Sequence, residues 1–261
     1  MRQTRIGGDT CSIVVGSGKG GVGKSVVSVM LAAAAAERRR DVLLLDGEQN
    51  LANLHVLLGV GAQGSIESAL DGRLTGEALI RPVAEHLSLL PSESGSEGLY
   101  ALGALERARL HQRLVELCRD FEVVVVDAGA GIEGVVRAAT LGADRVVLVT
   151  APEPTALMDA HALIKILSLQ ASHVPVSVLV NRCADEDEGQ DAFARLSEAS
   201  EQFLNRRLDL AGILFEEERI AAAVREPRRF LARLMETRAA QTIRDARLDC
   251  LPVAESTRSR A

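Results

Sequence analysis

Aromatic side chains are scarce in this sequence. Its 261 residues hold no Trp, one Tyr and five Phe, so a core must be filled with Ala, Val and Leu. Cysteines are few and scattered: Cys11, Cys118, Cys183 and Cys250, with no CxxC pair. Neither a structural zinc site nor a disulfide framework is indicated, and the expectation is buried thiols in a reducing cytosol. No apolar run reaches the ~18 residues of a membrane-spanning helix, and "MRQTRIGGDTCSIVVG" carries no signal-peptide apolar region. There is no excess of positive charge either. Lys and Arg number 30 against 36 Asp and Glu, a formal net charge of −6, so strong nucleic-acid binding is not expected. The five histidines show no metal-ligand spacing, no internal repeat is visible, and no nucleophile elbow marks a Ser-His-Asp site.

What is present is a large apolar fraction, 47%, arranged in strand-length runs. "CSIVVGS" (11–17), "DVLLLD" (41–46), "HLSLLPS" (86–92), "FEVVVVD" (121–127), "DRVVLVT" (144–150), "VPVSVLVN" (174–181) and "LDLAGILF" (208–215) read as strands. Helical patterns lie between them, from Lys24 to about Arg39 and from Ala104 to Arg119 among others. The runs are continuous rather than alternating, which is the pattern of strands covered on both faces. Strand–helix alternation predicts an α/β fold with a doubly wound, mostly parallel sheet flanked by helices. Residues 1–248 are expected to form one domain. Residues 249–261 are too polar to pack and read as a disordered tail.

The strongest local signal is "GSGKGGVGKS" (16–25). Gly18, Gly23, Lys24 and Ser25 fit G-x-x-x-x-G-K-[ST] between a predicted strand and a predicted helix, the context that a phosphate-binding loop requires. Glycines let backbone N–H groups converge on phosphate oxygens, and the helix N-terminus adds a positive dipole. Lys24 is expected at the β- and γ-phosphates, and the Ser25 hydroxyl on Mg²⁺. Asp46 and Asp127 end two predicted strands, where open α/β sheets place ligands. Asp127 suits a Mg²⁺ site or a cap on the helix that follows; Asp46 suits the same site, a cap or a turn.

The loop carries a second lysine, Lys19, and "KGGVGKS" with it resembles the deviant Walker A loop of the MinD/ParA ATPases. The family's extra lysine reaches across a nucleotide-sandwiched dimer to the partner's phosphates; a solvated lysine on a loop is the plain alternative. "LLLDGEQNLANLHVLLG" (43–59) resembles the family's first switch segment, D-x-D-x-x-x-x-N, with Asn53 at the last position. "NLANLHVLLG", "DAGAGI" (127–132) and "PEPTALMDAHALIKIL" (152–167) are similar to the flagellar-number branch, FlhG or FleN. Together the resemblance spans about Cys11 to Arg244.

This resemblance implies a P-loop ATPase of the MinD-like type that binds Mg²⁺ and ATP and dimerises on ATP. It places nucleotide contacts at Gly18, Lys19, Gly20, Gly21, Val22, Gly23, Lys24, Ser25, Val26 and Gly129. Adenine recognition falls to Asn181 and Arg182. Metal ligation falls to Ser25, Asp46 and Asp127, and catalysis to Lys19, Lys24 and Glu48. Glu48 stands where the family has the Asp that orients the attacking water, so hydrolysis is expected to be slow. Other implied properties are a cytoplasmic location, with peripheral inner-membrane attachment weak or absent, and a protein partner of flagellar or positioning machinery. An FlhF-like GTPase and a transcription regulator both fit that role. A family segment of the form "DQAxxLR" is not visible before the first strand. "RRFLARLMETRAAQTIRDAR" (228–247) reads as a final packed helix or as a membrane-targeting amphipathic one. Two rival readings share the scaffold: a ParA/MinD-like division or partitioning ATPase, and an ATP-dependent metabolic synthetase.

Overall fold

The computed structural model describes residues 10–47, 54–61, 76–92, 103–129, 131–246 and 248. Glu48, Asn53 and the expected tail 249–261 lie outside them. Eight strands form one sheet: β1 (Cys11–Gly16), β2 (Val42–Gly47), β3 (Arg81–Ala84), β4 (Leu87–Leu90), β5 (Val123–Ala128), β6 (Arg145–Thr150), β7 (Val176–Cys183) and β8 (Asp209–Phe215). Their order is β3-β4-β2-β5-β1-β6-β7-β8. All neighbours run parallel except β3 and β4.

The continuous valine runs have a direct structural cause. Successive side chains of a strand point to opposite faces, and here each face is dry. Ile13, Val15, Val123, Val125 and Val147 enter one core cluster. Their neighbours Val14, Val124, Val126, Val146 and Leu148 enter the other. Helix α1 (Lys24–Glu37) covers the first face, and its alanine run 32–36 is wholly buried. Small side chains there let the helix axis sit close to the sheet. The short α2 (Leu54–Leu57) follows β2, and α3 (Ala104–Cys118) precedes β5. The second cluster gathers residues from α4 (Ile132–Thr140), α5 (Pro154–Gln170) and α6 (Glu186–Leu204).

The segment 228–247 divides. After α7 (Glu218–Val224) come α8 (Phe230–Met235) and α9 (Arg238–Ala246). The break is at Thr237, whose hydroxyl donates to the Leu234 carbonyl (2.7 Å) and stands 3.2 Å from the Ala240 N–H. Phe230, Leu234, Ala239, Ala240 and Ile243 are buried in the cluster that holds α1. Arg244 then clamps Glu37 at the end of α1, with Nε 2.6 Å and an Nη 2.9 Å from the two carboxylate oxygens. Of the two sequence readings of this segment, the packed one describes the structure. No described helix is long and apolar enough to cross a membrane.

One expectation needs correcting. Cys11 is not a thiol but disulfide-bonded, whereas Cys118 and Cys183 are free and buried. Ahead of α9, Glu217 accepts from the N–H groups of Arg238 and Ala239 (3.2 and 2.8 Å) and so caps that helix.

Candidate nucleotide site

The carboxyl ends of β1, β2 and β5 come together on one edge of the sheet, and the loop 17–23 leaves β1 there to open α1 at Lys24. Two close approaches shape that loop. A Cβ on Gly18 would run into the backbone of Asp159 and Ala160 in α5, and one on Gly23 would strike the Asn181 side-chain amide. Gly23 also needs its positive φ of 93° to turn the chain into the helix. Around Gly20 and Gly21 a Cβ would meet nothing within 4 Å. Val22 is buried, and Val26 packs against the α1-side core, which anchors both ends of the loop.

Helix α1 begins without help from side chains. Its N-cap makes no side-chain cap bond, and its first turn holds no acidic residue. The first N–H groups of a helix lack intrahelical acceptors and attract anions. An uncapped N-terminus behind a glycine loop, with a buried lysine at its first position, fits a phosphate group.

That lysine is already engaged. Lys24 Nζ lies 2.9 Å from Asp127 Oδ1, with side-chain exposures of only 8% and 1%. The Ser28 hydroxyl, one turn along α1, stands 2.9 Å from the same oxygen. Asp127 therefore does not cap the next helix, whose N-cap is Gly131 with no side-chain cap bond. Asp46 is opposite Asp127 in the β2–β5 register and is fully buried. Its Oδ2 accepts from the backbone N–H of Leu54 at 3.2 Å, the first residue of α2, so Asp46 does make a capping bond.

Among the described residues no group of three or more His, Cys, Asp and Glu could hold a metal ion. Mg²⁺ does not need one, since it is commonly held by one or two protein ligands together with substrate phosphates and water. The oxygen donors of Ser25, Asp46 and Asp127 beside a phosphate cradle suit that cation.

Lys19 donates to Glu153 Oε2 (3.2 Å) and Thr155 Oγ1 (2.9 Å) at the start of α5, on an exposed surface. Asn181 donates from Nδ2 to the Val22 carbonyl (2.8 Å), so β7 is tied to the loop. Arg182 takes a positive φ of 62°. Gly129 is buried directly after β5. Glu48 follows β2 outside the described residues. Ser28 had no motif to announce it; Glu153 and Thr155 lay in "PEPTALMD" without an assigned role. Near Asn181, the Cys183 thiol is pushed up to about 11 by burial and by Glu188, Glu186 and Asp185, which keeps it protonated at neutral pH.

Comparison with known proteins bears on this arrangement. The antiactivator FleN of Pseudomonas aeruginosa is 35% identical over 216 residues, covering 83% of this chain and 77% of its own length. The flagellum site-determining protein YlxH of Helicobacter pylori is 35% identical over 189 residues, covering 72% of this chain but only 64% of its own length. The septum site-determining protein MinD from Pyrococcus horikoshii, complexed with Mg-ADP, superposes with a TM-score of 0.71 at 23% identity, over 91% of this chain and 94% of that one. At that identity the superposition speaks for the fold alone. The family described as the CobQ/CobB/MinD/ParA nucleotide binding domain matches residues 13–242. That match starts inside β1 and ends inside α9, so it takes in all of the described sheet except the first two residues of β1, and the chain belongs to the CobQ/CobB/MinD/ParA family of nucleotide-binding domains.

Proposed function

We propose that this chain is a Mg·ATP-dependent, dimerising regulatory ATPase that governs flagellar number or placement. The supporting observation is the two-lysine loop on a chain 35% identical to FleN over 83% of its length. A relative named an antiactivator favours a transcription activator as the protein partner over an FlhF-like GTPase. Residues 1–248 act as one domain in this reading, and 249–261 as a tail.

The residues divide the work. Lys24 leaves Asp127 and neutralises the β- and γ-phosphates, while the N–H groups of 20–25 hold their oxygens. Ser25, Asp46 and Asp127 hold Mg²⁺, which when bound neutralises charge on the phosphate oxygens. Asn181 and Arg182 contact adenine, and Gly129 reads the γ-phosphate through its N–H. Glu48 orients the attacking water. Lys19 leaves Glu153 and Thr155 and reaches the phosphates of a second copy, where it serves as a cation in trans. Dimer formation thus reports that ATP is loaded, and slow hydrolysis makes the loaded state long-lived. The dimer is read in the cytoplasm, and membrane attachment is weak or absent because the C-terminal helices bury their apolar faces on α1.

Sedimentation with Mg²⁺ and ATP, compared with ADP, tests the reading. Dimers with ATP and monomers with ADP are expected, with slow phosphate release. Monomers under both conditions would remove it. Expression in Pseudomonas aeruginosa lacking FleN tests the flagellar output, with wild-type flagellar number as the expected result.

A further inference from the structure

We infer that Ser28 is a positioning residue for Asp127: its hydroxyl holds the carboxylate in the orientation that receives Mg²⁺ after Lys24 has moved to the phosphates. The inference rests on the Mg·ATP reading above and adds a residue that no part of that reading uses.

Ser28 is fully buried, and its hydroxyl proton faces two acceptors. One is the Lys24 carbonyl at 3.1 Å; the other is Asp127 Oδ1 at 2.9 Å. Bonding back to the carbonyl four residues earlier is the ordinary habit of a helical serine and needs no function. The two acceptors are not equal, however. The Lys24 carbonyl lies in a helix, where it is the acceptor for the backbone N–H four residues on. Asp127 is a buried carboxylate, 1% exposed, and a buried charge depends on its donors. The proton goes to the carboxylate.

Lys24 and Ser28 converge on one oxygen but differ in what they can do next. The lysine is on a flexible stem and is drawn away when phosphates arrive. The serine has a single rotatable bond and sits on the body of α1, three residues after Ser25 and on the same helical face. It therefore links the helix that carries one proposed metal ligand to the strand that carries another. When the charged donor departs, the Ser28 hydroxyl is the link that remains between α1 and Oδ1 of Asp127.

The experiment measures binding of a fluorescent ATP analogue with Mg²⁺ and with EDTA, and takes the ratio of the two affinities. A residue that only stabilises the fold weakens both affinities together and leaves the ratio alone. In Ser28→Ala we expect the Mg²⁺ enhancement to fall about tenfold, the size of one hydrogen bond to a charged group, with EDTA binding unchanged. Ser28→Thr retains the hydroxyl and restores the ratio to within about twofold. An Ala variant with the wild-type ratio overturns the positioning role, as does a Thr variant that loses the ratio as fully as Ala. If the wild-type protein binds no ATP analogue at all, the Mg·ATP reading itself fails, and that outcome is separate from the comparison of variants.

Discussion

Lys24 and Asp127 form an ion pair of 2.9 Å that is almost sealed from water. Removing one partner of a buried pair leaves an uncompensated charge and costs about 3 kcal/mol. Lys24→Ala is therefore expected to lose nucleotide binding and also to unfold at lower denaturant. In the double variant Lys24→Met with Asp127→Asn, neither charge remains. Stability should recover most of the way toward wild type while binding stays lost. Urea midpoints and fluorescence titrations on the same samples check both parts.

Lys19 engages side chains of its own chain, and those contacts are exposed. Exposed pairs are worth at most about 1 kcal/mol, so little holds the lysine back from a partner subunit. Lys19→Ala should keep ATP affinity within about twofold yet lose ATP-driven dimers and turnover. Titration and sedimentation run in parallel decide it. A variant that dimerises and hydrolyses normally rules out the role in trans.

Glu48 has the charge of an Asp on a stem longer by one C–C bond, about 1.5 Å. A displacement of about 1 Å in a catalytic group can cost on the order of 100-fold in rate. Single-turnover hydrolysis should accelerate in Glu48→Asp and nearly vanish in Glu48→Gln. Equal rates in all three proteins mean that another group orients the water.

The Glu37 carboxyl is held below its ordinary value, first by the hydrogen bonds from Arg244 and further by that residue's charge, against an opposing contribution from burial. A lowered folded-state value means that the pair stabilises the protein above the ordinary carboxyl range, about 4.3. The stabilisation fades as the pH falls through the folded-state value. Because the Glu37 side chain is 45% exposed, screening limits the effect. Arg244→Ala should lose about 1 kcal/mol at neutral pH. Urea melts at about pH 7 and roughly pH 3.5 should show the gap between wild type and variant closing on the acid side.

The sheet was legible because its strands are buried on both faces and written as unbroken apolar runs; "FEVVVVD" admitted few alternatives. β3 was not. "RPVA" is four residues long, half exposed and contains Pro82, which survives because the strand lies at an edge where one side of the ladder needs no donor. The helix break at Thr237 was also hidden. Periodicity across 228–247 fades after Met235, and a fading stripe does not distinguish a shorter helix from two helices with different buried faces. Within the site, Lys24, Asp46 and Asp127 were legible because motif position and strand ends constrain them. Ser28 was not, since a serine inside a helix is unremarkable until the strand opposite brings a carboxylate to it. The disulfide at Cys11 was invisible for the same reason: distance along the chain says nothing about distance in space.

The register that pairs Asp46 with Asp127 has a mechanical consequence. Both carboxylates hang from neighbouring parallel strands, whose spacing is fixed by backbone hydrogen bonds at about 4.8 Å. The two anchor points cannot drift apart without breaking the ladder. A slip of one residue between β2 and β5 would turn Asp46 to the opposite face and bury an apolar neighbour in its place. The sheet thus acts as a calliper with locked jaws: in the proposed function, each round of loading and release would start from the same carboxylate spacing.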